Sequence, residues 1–283
     1  MNNIEIAQKY LPLLDELYQQ ESKTAIFEGD ETTVKKDGTG EVKIAKIDMD
    51  GLGDFDRNDG YTNGSTTFVW ETVKYDKERS QKLKIDRLVN KEALGIPFGK
   101  LSGEFLRTKV IPETDAARIA KICGTSGITT VEETLNTGEQ VITALRACMN
   151  KMDNEEVPEE NRILLINPVF YGAAEDLDTT KSKMVLQKFK KIIRVPATRM
   201  WSAITLNDGE ENYGFTKAVG AKPVNFLCVE RSAVTCALEQ YLKYFSPDED
   251  QEGDNHKFLY RNNNLYAHCY ENKLAGIYAS FGG

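Results

Sequence analysis

Asp48-Met49-Asp50-Gly51-Leu52-Gly53-Asp54-Phe55-Asp56-Arg57-Asn58-Asp59-Gly60, with Asn63-Gly64 just beyond it, is the most informative stretch of this chain. Glycine, asparagine and aspartate supply turn conformations that bulkier residues resist, so a set this dense interrupts any regular element. On both sides the sequence alternates with period two. Val42 and Ile44 come before it, and Thr67, Val69, Glu71, Val73 and Tyr75 interleave with Phe68, Trp70 and Thr72 after it. Such alternation is a strand pattern. Two strands joined by a long, acidic, Gly-rich tip make a protruding hairpin, because a tip so polar cannot be a buried element.

Upstream, Ala7, Tyr10, Leu11, Leu14, Leu17 and Tyr18 fall near helical spacing, and Pro12 divides them into two short pieces at best. Residues 22–40 are polar, lack amphipathic period and read as an extended arm. Downstream, the longest expected helix covers 97–123. Pro97 suits its first position and Gly124 its stop. Phe98, Leu101, Phe105, Ile119 and Ile122 form one stripe, Gly99 and Gly103 offer a small-residue strip, and Pro112 should bend the rod. Thr137 with Gln140 is a capping-box pair, opening a helix with Val141, Leu145, Cys148 and Met152 on one face. Residues 163–166 read as a buried strand, and Asn167-Pro168 as the cap and first turn of another helix. Short strands near 192–195 and 224–229 point to a small α/β sheet, and 257–270 and 273–281 read as long strands. No internal repeat is visible.

Composition narrows the class. The 283 residues are 40% hydrophobic, enough for a sizeable core, and Lys+Arg 36 against Asp+Glu 44 gives a net charge of −8. An acidic chain gains no counterion-release affinity for nucleic acid, which argues against coating DNA. No secretory signal is visible. The longest aliphatic run, Ile163-Leu164-Leu165-Ile166, falls far short of the ~18 residues of a membrane span, so no membrane partner is expected. Cys123, Cys148, Cys228, Cys236 and Cys269 show no repeated spacing and read as reduced, mostly buried thiols of an intracellular protein. Charge comes in blocks. Residues 37–60 hold seven acids against three bases, whereas 181–199 hold seven bases and no acid. Each block alone reads as a solvated face, but opposed blocks on one chain suit packing against copies of itself.

No constellation for catalysis emerges. His256 and His268 lack Cys or acidic neighbours at metal-ligand spacing. Gly95-Ile96-Pro97-Phe98-Gly99-Lys100 has one residue too few for a phosphate loop, and Leu101 stands where Ser or Thr should hold magnesium. Asp54, Asp56 and Asn58 match the first ligands of a calcium loop, but Asp59 takes the place of the turn glycine and Ser65 that of the closing Glu. No catalytic residue, cofactor or metal is expected.

The order of the parts (extended arm, long hairpin, long helix, α/β domain) resembles a tailed-bacteriophage major capsid protein of the Hong Kong 97 type. Several stretches are similar to those of capsid proteins from phages and prophages of Gram-positive bacteria. They are Lys46-Ile47-Asp48-Met49-Asp50-Gly51-Leu52-Gly53-Asp54, the run Phe98-Gly99-Lys100-Leu101-Ser102-Gly103-Glu104-Phe105-Leu106-Arg107-Thr108-Lys109-Val110-Ile111-Pro112-Glu113, and Arg194-Val195-Pro196-Ala197-Thr198-Arg199-Met200. Residues 225–233 and Asn272-Lys273-Leu274-Ala275-Gly276-Ile277-Tyr278 belong with them.

The resemblance implies an α+β Hong Kong 97-like capsid fold with an N-terminal arm (1–36), an extended β-hairpin loop (37–86) and a peripheral domain on the spine helix (87–130). An axial α/β domain (131–235) follows, then peripheral return strands (236–267) and a C-terminal strand back to the axial domain (268–283). It further implies a virion shell protein, assembled in the bacterial host cytoplasm as hexamers and pentamers around double-stranded DNA held with weak contact. A portal is an implied partner. Only about 36 residues precede the hairpin, so a separate scaffold protein is expected rather than a built-in extension. Some members cross-link neighbours through Lys and Asn with a Glu. Asn262, Asn263, Asn264 and Glu271 are present, but no hairpin lysine is marked out, and that chemistry is not carried over. The residues assigned to assembly are Asp48, Asp50, Gly51, Gly53, Asp54 and Asp56 of the tip, Trp70, Gly99 and Gly103, and the bases Lys188, Lys190, Lys191, Arg194 and Arg199. Two other readings are an encapsulin-like nanocompartment shell and, from another class, a cytosolic enzyme whose site escapes motif reading.

Overall fold

A computed structural model of the chain describes residues 16–18, 21–30, 34–36, 40–55, 57, 61, 63–86, 98–249, 253 and 255–283. Most of the N-terminal amphipathic segment, Asp56, Asn58, Asp59 and Gly95-Ile96-Pro97 lie outside the described residues.

One half of the molecule is a five-stranded sheet in the order β5 (Thr129–Glu132), β13 (Ile277–Phe281), β10 (Val224–Glu230), β6 (Arg162–Ile166), β7 (Lys191–Arg194). Every residue of β10, β6 and β13 is buried, because both faces of the sheet are covered. Strand alternation divides them. Leu227, Val229, Ile163, Leu165, Ile277 and Ala279 point into a core shared with Ile119, Ile122 and Phe27. Phe226, Cys228, Leu164, Ile166 and Tyr278 point the other way, onto the helix α3 (Gly138–Asn154), where Val141, Leu145, Cys148 and Met152 form the expected face. The capping box closes as the sequence indicated: Gln140 N donates to Thr137 Oγ1 at 3.4 Å and Thr137 N to Gln140 Oε1 at 3.2 Å. Asn167 caps α4 (Pro168–Glu175) with a single bond, its Oδ1 accepting from Val169 N at 3.0 Å.

α3 and α4 meet at Gly138. A Cβ there would stand 2.0 Å from the Ala173 carbonyl oxygen, a backbone atom that cannot rotate away. Gly138→Ala is therefore expected to lose about 3 kcal/mol, despite alanine's better helix propensity. A denaturant midpoint equal to wild type would show that the helices can separate at no cost.

The other half is the antiparallel sheet β11 (Val234–Phe245), β12 (Asn255–Cys269), β4 (Lys77–Asp86), with the long helix packed on it. β4, placed by the sequence within the 37–86 stretch, thus pairs with β12 and not with the hairpin. The long helix, described from Phe98 onward, is not one uniform rod. α1 (Phe98–Phe105) and α2 (Ile111–Cys123) flank a π-helical segment, Leu106–Val110. Pro112 has no N–H to return to the Thr108 carbonyl, and the irregular turn lies immediately before it. Wider turns shift the phase of all that follows, so the single expected stripe splits. Phe105 packs with Leu106, Val110, Ile111, Leu238, Leu242 and Phe258, whereas Ile119 and Ile122 join the five-stranded sheet's core.

Two further expectations need correction. Residues 273–281 are not one strand: Glu271–Gly276 forms a 3-10 turn that carries the chain from one sheet to the other, leaving only β13 extended. The described part of 22–40, read as an extended arm, is not extended throughout either. Ala25–Phe27 is a 3-10 turn with Phe27 fully buried, and β1 (Val34–Lys36) pairs with β2 (Glu41–Met49), Val34 opposite Ile44. Buried Phe27 and Val34, with Ala25 and Ile26 half-buried against the same cores, anchor a mostly polar segment.

Candidate assembly interface

β2 and β3 (Thr66–Lys74) pair in unbroken antiparallel register from Glu41↔Lys74 to Met49↔Thr66. Paired residues share a face, so the ribbon has two distinct sides. One presents Val42, Ile44 and Val73 at its base to Val34, Ala237 and Leu265 of the body. The other presents Ala45, Ile47, Met49, Phe68 and Trp70, with the Lys35 ammonium 4.1 Å above the Trp70 ring. Beyond the base the hairpin leaves the core: no described side chain between Ala45 and Thr72 is buried. Met49 is 68% exposed, Phe68 56% and Ile47 54%. A contiguous apolar face in water marks a surface meant to be covered.

The tip is closed by a neck at Asp50 and Ser65, where Ser65 N donates to Asp50 Oδ2 at 2.7 Å and Asp50 N to Ser65 O at 3.1 Å. Beyond the neck Phe55 and Tyr61 meet edge-on with ring centroids 5.2 Å apart, and Leu52 is wholly exposed. Gly51, Gly53 and Asp54 lie exposed beside them, and a Cβ on Gly51 would meet nothing within 4 Å. Asp48 sits on β2 opposite Thr67. The tip therefore combines acidic groups with three exposed apolar side chains, Leu52, Phe55 and Tyr61.

The remaining assigned residues are scattered. Gly99 lies in α1. Gly103 faces its own chain: a Cβ there would stand 3.6 Å from Leu17 Cδ2, an ordinary contact. Gly103→Ala should thus hold or slightly raise the melting temperature, whereas Gly103→Leu must displace Leu17 and should lower it. Equal melting of the leucine variant would place Leu17 elsewhere. Among the bases, Lys188 pairs loosely with Glu159 at 3.8 Å, Lys190 donates to Asn161 Oδ1 at 2.7 Å, and the Arg194 guanidinium lies 5.4 Å from the Tyr171 ring. Lys191 is exposed at the start of β7. Arg199 is not available to a neighbour as the charge block suggested, since Nη1 donates to Asp115 Oδ2 at 3.0 Å.

That bond belongs to a network absent from the sequence reading. Asp115 is wholly buried and collects Ser22 Oγ (2.7 Å), Lys23 N (3.0 Å), Thr24 N (3.1 Å), Thr24 Oγ1 (2.6 Å) and Arg199 Nη1. One turn on, buried Arg118 donates to Glu28 Oε1 at 2.8 Å. The pair fastens the 22–28 segment to α2. Among the described residues no group of three or more His, Cys, Asp or Glu side chains stands close enough to hold a metal ion, and no helix is long and apolar enough to cross a membrane. Burial pushes the Cys123 and Cys236 thiols up to about 12, far from reactive thiolates.

No protein-family profile matches the sequence, and no curated protein matches it. The fold does have solved counterparts. The capsid of the cyanophage P-SCSP1u superposes with TM-score 0.57 at 13% identity, over 89% of this chain and 85% of its own. A virus-like particle from Pyrococcus furiosus gives TM-score 0.57 at 14% identity, over 98% and 99%. The capsid of the Myoviridae phage XM1 gives 0.54 at 12%, over 89% of each chain. The chain has the Hong Kong 97-type fold of tailed-phage capsid subunits.

Proposed function

We propose that the chain is the major capsid protein of a tailed phage, a structural subunit that closes as hexamers and pentamers into an icosahedral virion shell around double-stranded DNA. The observation that carries this reading is the hairpin: nine cross-strand pairs in register, leading an apolar face and an acidic tip away from the subunit's own core. A compact monomer has no use for such an element. A shell subunit does, because a ribbon laid across a neighbour buries area that two rounded surfaces cannot. The net charge of −8 suits a container that holds DNA without gripping it.

In this reading the β2–β3 hairpin reaches a neighbour, the helix-and-sheet half with β11, β12 and β4 is the peripheral layer, and the five-stranded sheet is the axial one. A separate scaffold protein guides closure, and a portal interrupts one vertex. Expression alone and with a scaffold, followed by light scattering and electron microscopy, tests it. Closed shells, tubes or capsomers are expected. A stable monomer or dimer under both conditions would overturn it, and particles filled with an enzyme instead of nuclease-protected DNA would identify a nanocompartment.

A further inference from the structure

The ribbon formed by β8 (Ile204–Leu206) and β9 (Phe215–Lys217) is held at its tip by one arginine. Its strands pair only with each other, and none of their side chains is fully buried. At the root Ser202 N donates to Lys222 O at 2.9 Å and Lys222 N to Ser202 Oγ at 2.8 Å, beside a bridge between Trp201 and Pro223. At the tip Asn207 N donates to Gly214 O at 2.9 Å and Asn207 Nδ2 to Tyr213 O at 3.2 Å. Among the described residues, the hydrogen bonds joining that tip to the rest of the chain come from Arg79 of β4. Its Nη1 donates to Asn207 O at 2.5 Å and its Nη2 to Gly214 O at 3.4 Å. The same guanidinium forks onto Glu113 of α2, Nε to Oε1 at 2.8 Å and Nη2 to Oε2 at 3.1 Å.

One planar group thus ties three elements that are distant in sequence: a sheet edge, the long helix and the ribbon. A lysine's point charge could keep Glu113 but not the two carbonyls as well. The tip it holds (Asp208, Gly209, Tyr213, Gly214) walls a groove of about 800 Å³ whose other sides are β4 and the helix around Phe105 to Glu113. Gly220, between β9 and the root, has φ +77°, a left-handed backbone that favours glycine, and a Cβ there would meet nothing within 4 Å. A lone two-stranded ribbon is marginal in water, so its setting depends on what holds its end.

We propose that Arg79 is a positioning residue, a latch that holds the β8–β9 ribbon closed over this groove, and that opening it lets the ribbon swing about its Ser202–Lys222 root without disturbing either sheet. The purpose rests on the shell reading: one chain that fills both six- and five-membered rings needs a joint whose setting differs between copies. A joint made of one ion pair and two carbonyl bonds opens without unfolding a core.

Hydrogen exchange read by mass spectrometry on the full-length soluble subunit tests the latch. Arg79→Ala should speed exchange of the 203–218 amides by about tenfold or more while peptides from α3 and β10 keep their wild-type rates, the pattern of a local opening. Arg79→Lys should fall between the two. Should Arg79→Ala fail to fold, Glu113→Gln, which keeps an acceptor but loses the charge, should show the same local effect at smaller size. Unchanged exchange over 203–218, or an equal rise throughout the subunit, overturns the proposal. Failure of the shell reading would look different: no particles form, yet the local exchange response persists.

Discussion

Asp115→Ala should lower stability by about 3–5 kcal/mol. The carboxylate is wholly buried and satisfies five donors, two of them backbone N–H groups of Lys23 and Thr24. Removing it strands the Arg199 guanidinium, which is only 18% exposed, and leaves the two amides without an acceptor. Buried unpaired donors cost about 1–3 kcal/mol each, so part of the structure must give way. The cheapest part is the 22–28 segment, which would peel from α2 and take buried Phe27 with it. The melting temperature should then fall by about 10 °C. Thr24→Val removes the hydroxyl that donates to Asp115 at 2.6 Å and accepts weakly from Arg118 Nη1 at 3.4 Å, and should cost about 1 kcal/mol. Thermal denaturation with limited proteolysis at 21–30 reads both effects. Wild-type melting of Asp115→Ala would mean that buried Phe27 and the bonds of Arg118 and Arg231 to Glu28 hold the segment, and that the Asp115 carboxylate contributes nothing net.

This network marks the boundary of what the sequence conveys. The hairpin, the Thr137–Gln140 box and the Asn167-Pro168 cap were legible because each is written in adjacent residues whose chemistry acts over one turn. The unbroken aliphatic run 163–166 likewise marked β6 as a buried strand. Asp115 finds Thr24 at a separation of 91 residues and Arg199 at 84. Arg79 reaches Glu113 at 34 and Gly214 at 135. No local pattern encodes partners so far apart. One signal was available: Asp115 and Arg118 stand one turn apart among Ala116, Ala117, Ile119 and Ala120, charges inside an apolar helical run that must be paired if that run is buried. The split of the long helix was half legible, since Pro112 announced a disturbance but not that a π turn would rotate Ile119 and Ile122 onto a second core. The charge blocks misled for Arg199, because counting charges ignores which of them a neighbouring element has already taken.

Joining Met49 directly to Thr66 through Asn-Gly should leave a folded subunit that barely assembles. These two residues form the last cross-strand pair of the hairpin, and a two-residue Asn-Gly turn matches the twist of antiparallel strands, so the register below is preserved. Nothing the body needs is removed: the hairpin's contribution to the core comes from Val42, Ile44 and Val73 at its base, and every described residue from 50 to 65 is exposed. The melting temperature should therefore stay within about 2 °C of wild type, the range of surface changes away from packed features. Assembly is another matter. Leu52, Phe55 and Tyr61 go with the tip, each worth about 1.5–3 kcal/mol if a neighbour buries it fully, before the cost of ordering the loop. The acidic groups that could meet exposed bases such as Lys191 go too. Since each 1.4 kcal/mol is tenfold in an association constant, shell yield at fixed concentration should drop by on the order of tenfold or more. Sedimentation of particles against free subunit, beside a melting curve of the free subunit, separates the two quantities. A shortened chain that unfolds on its own, while its surviving folded fraction assembles normally, would place the tip inside the subunit's own fold and remove the ground for the shell reading.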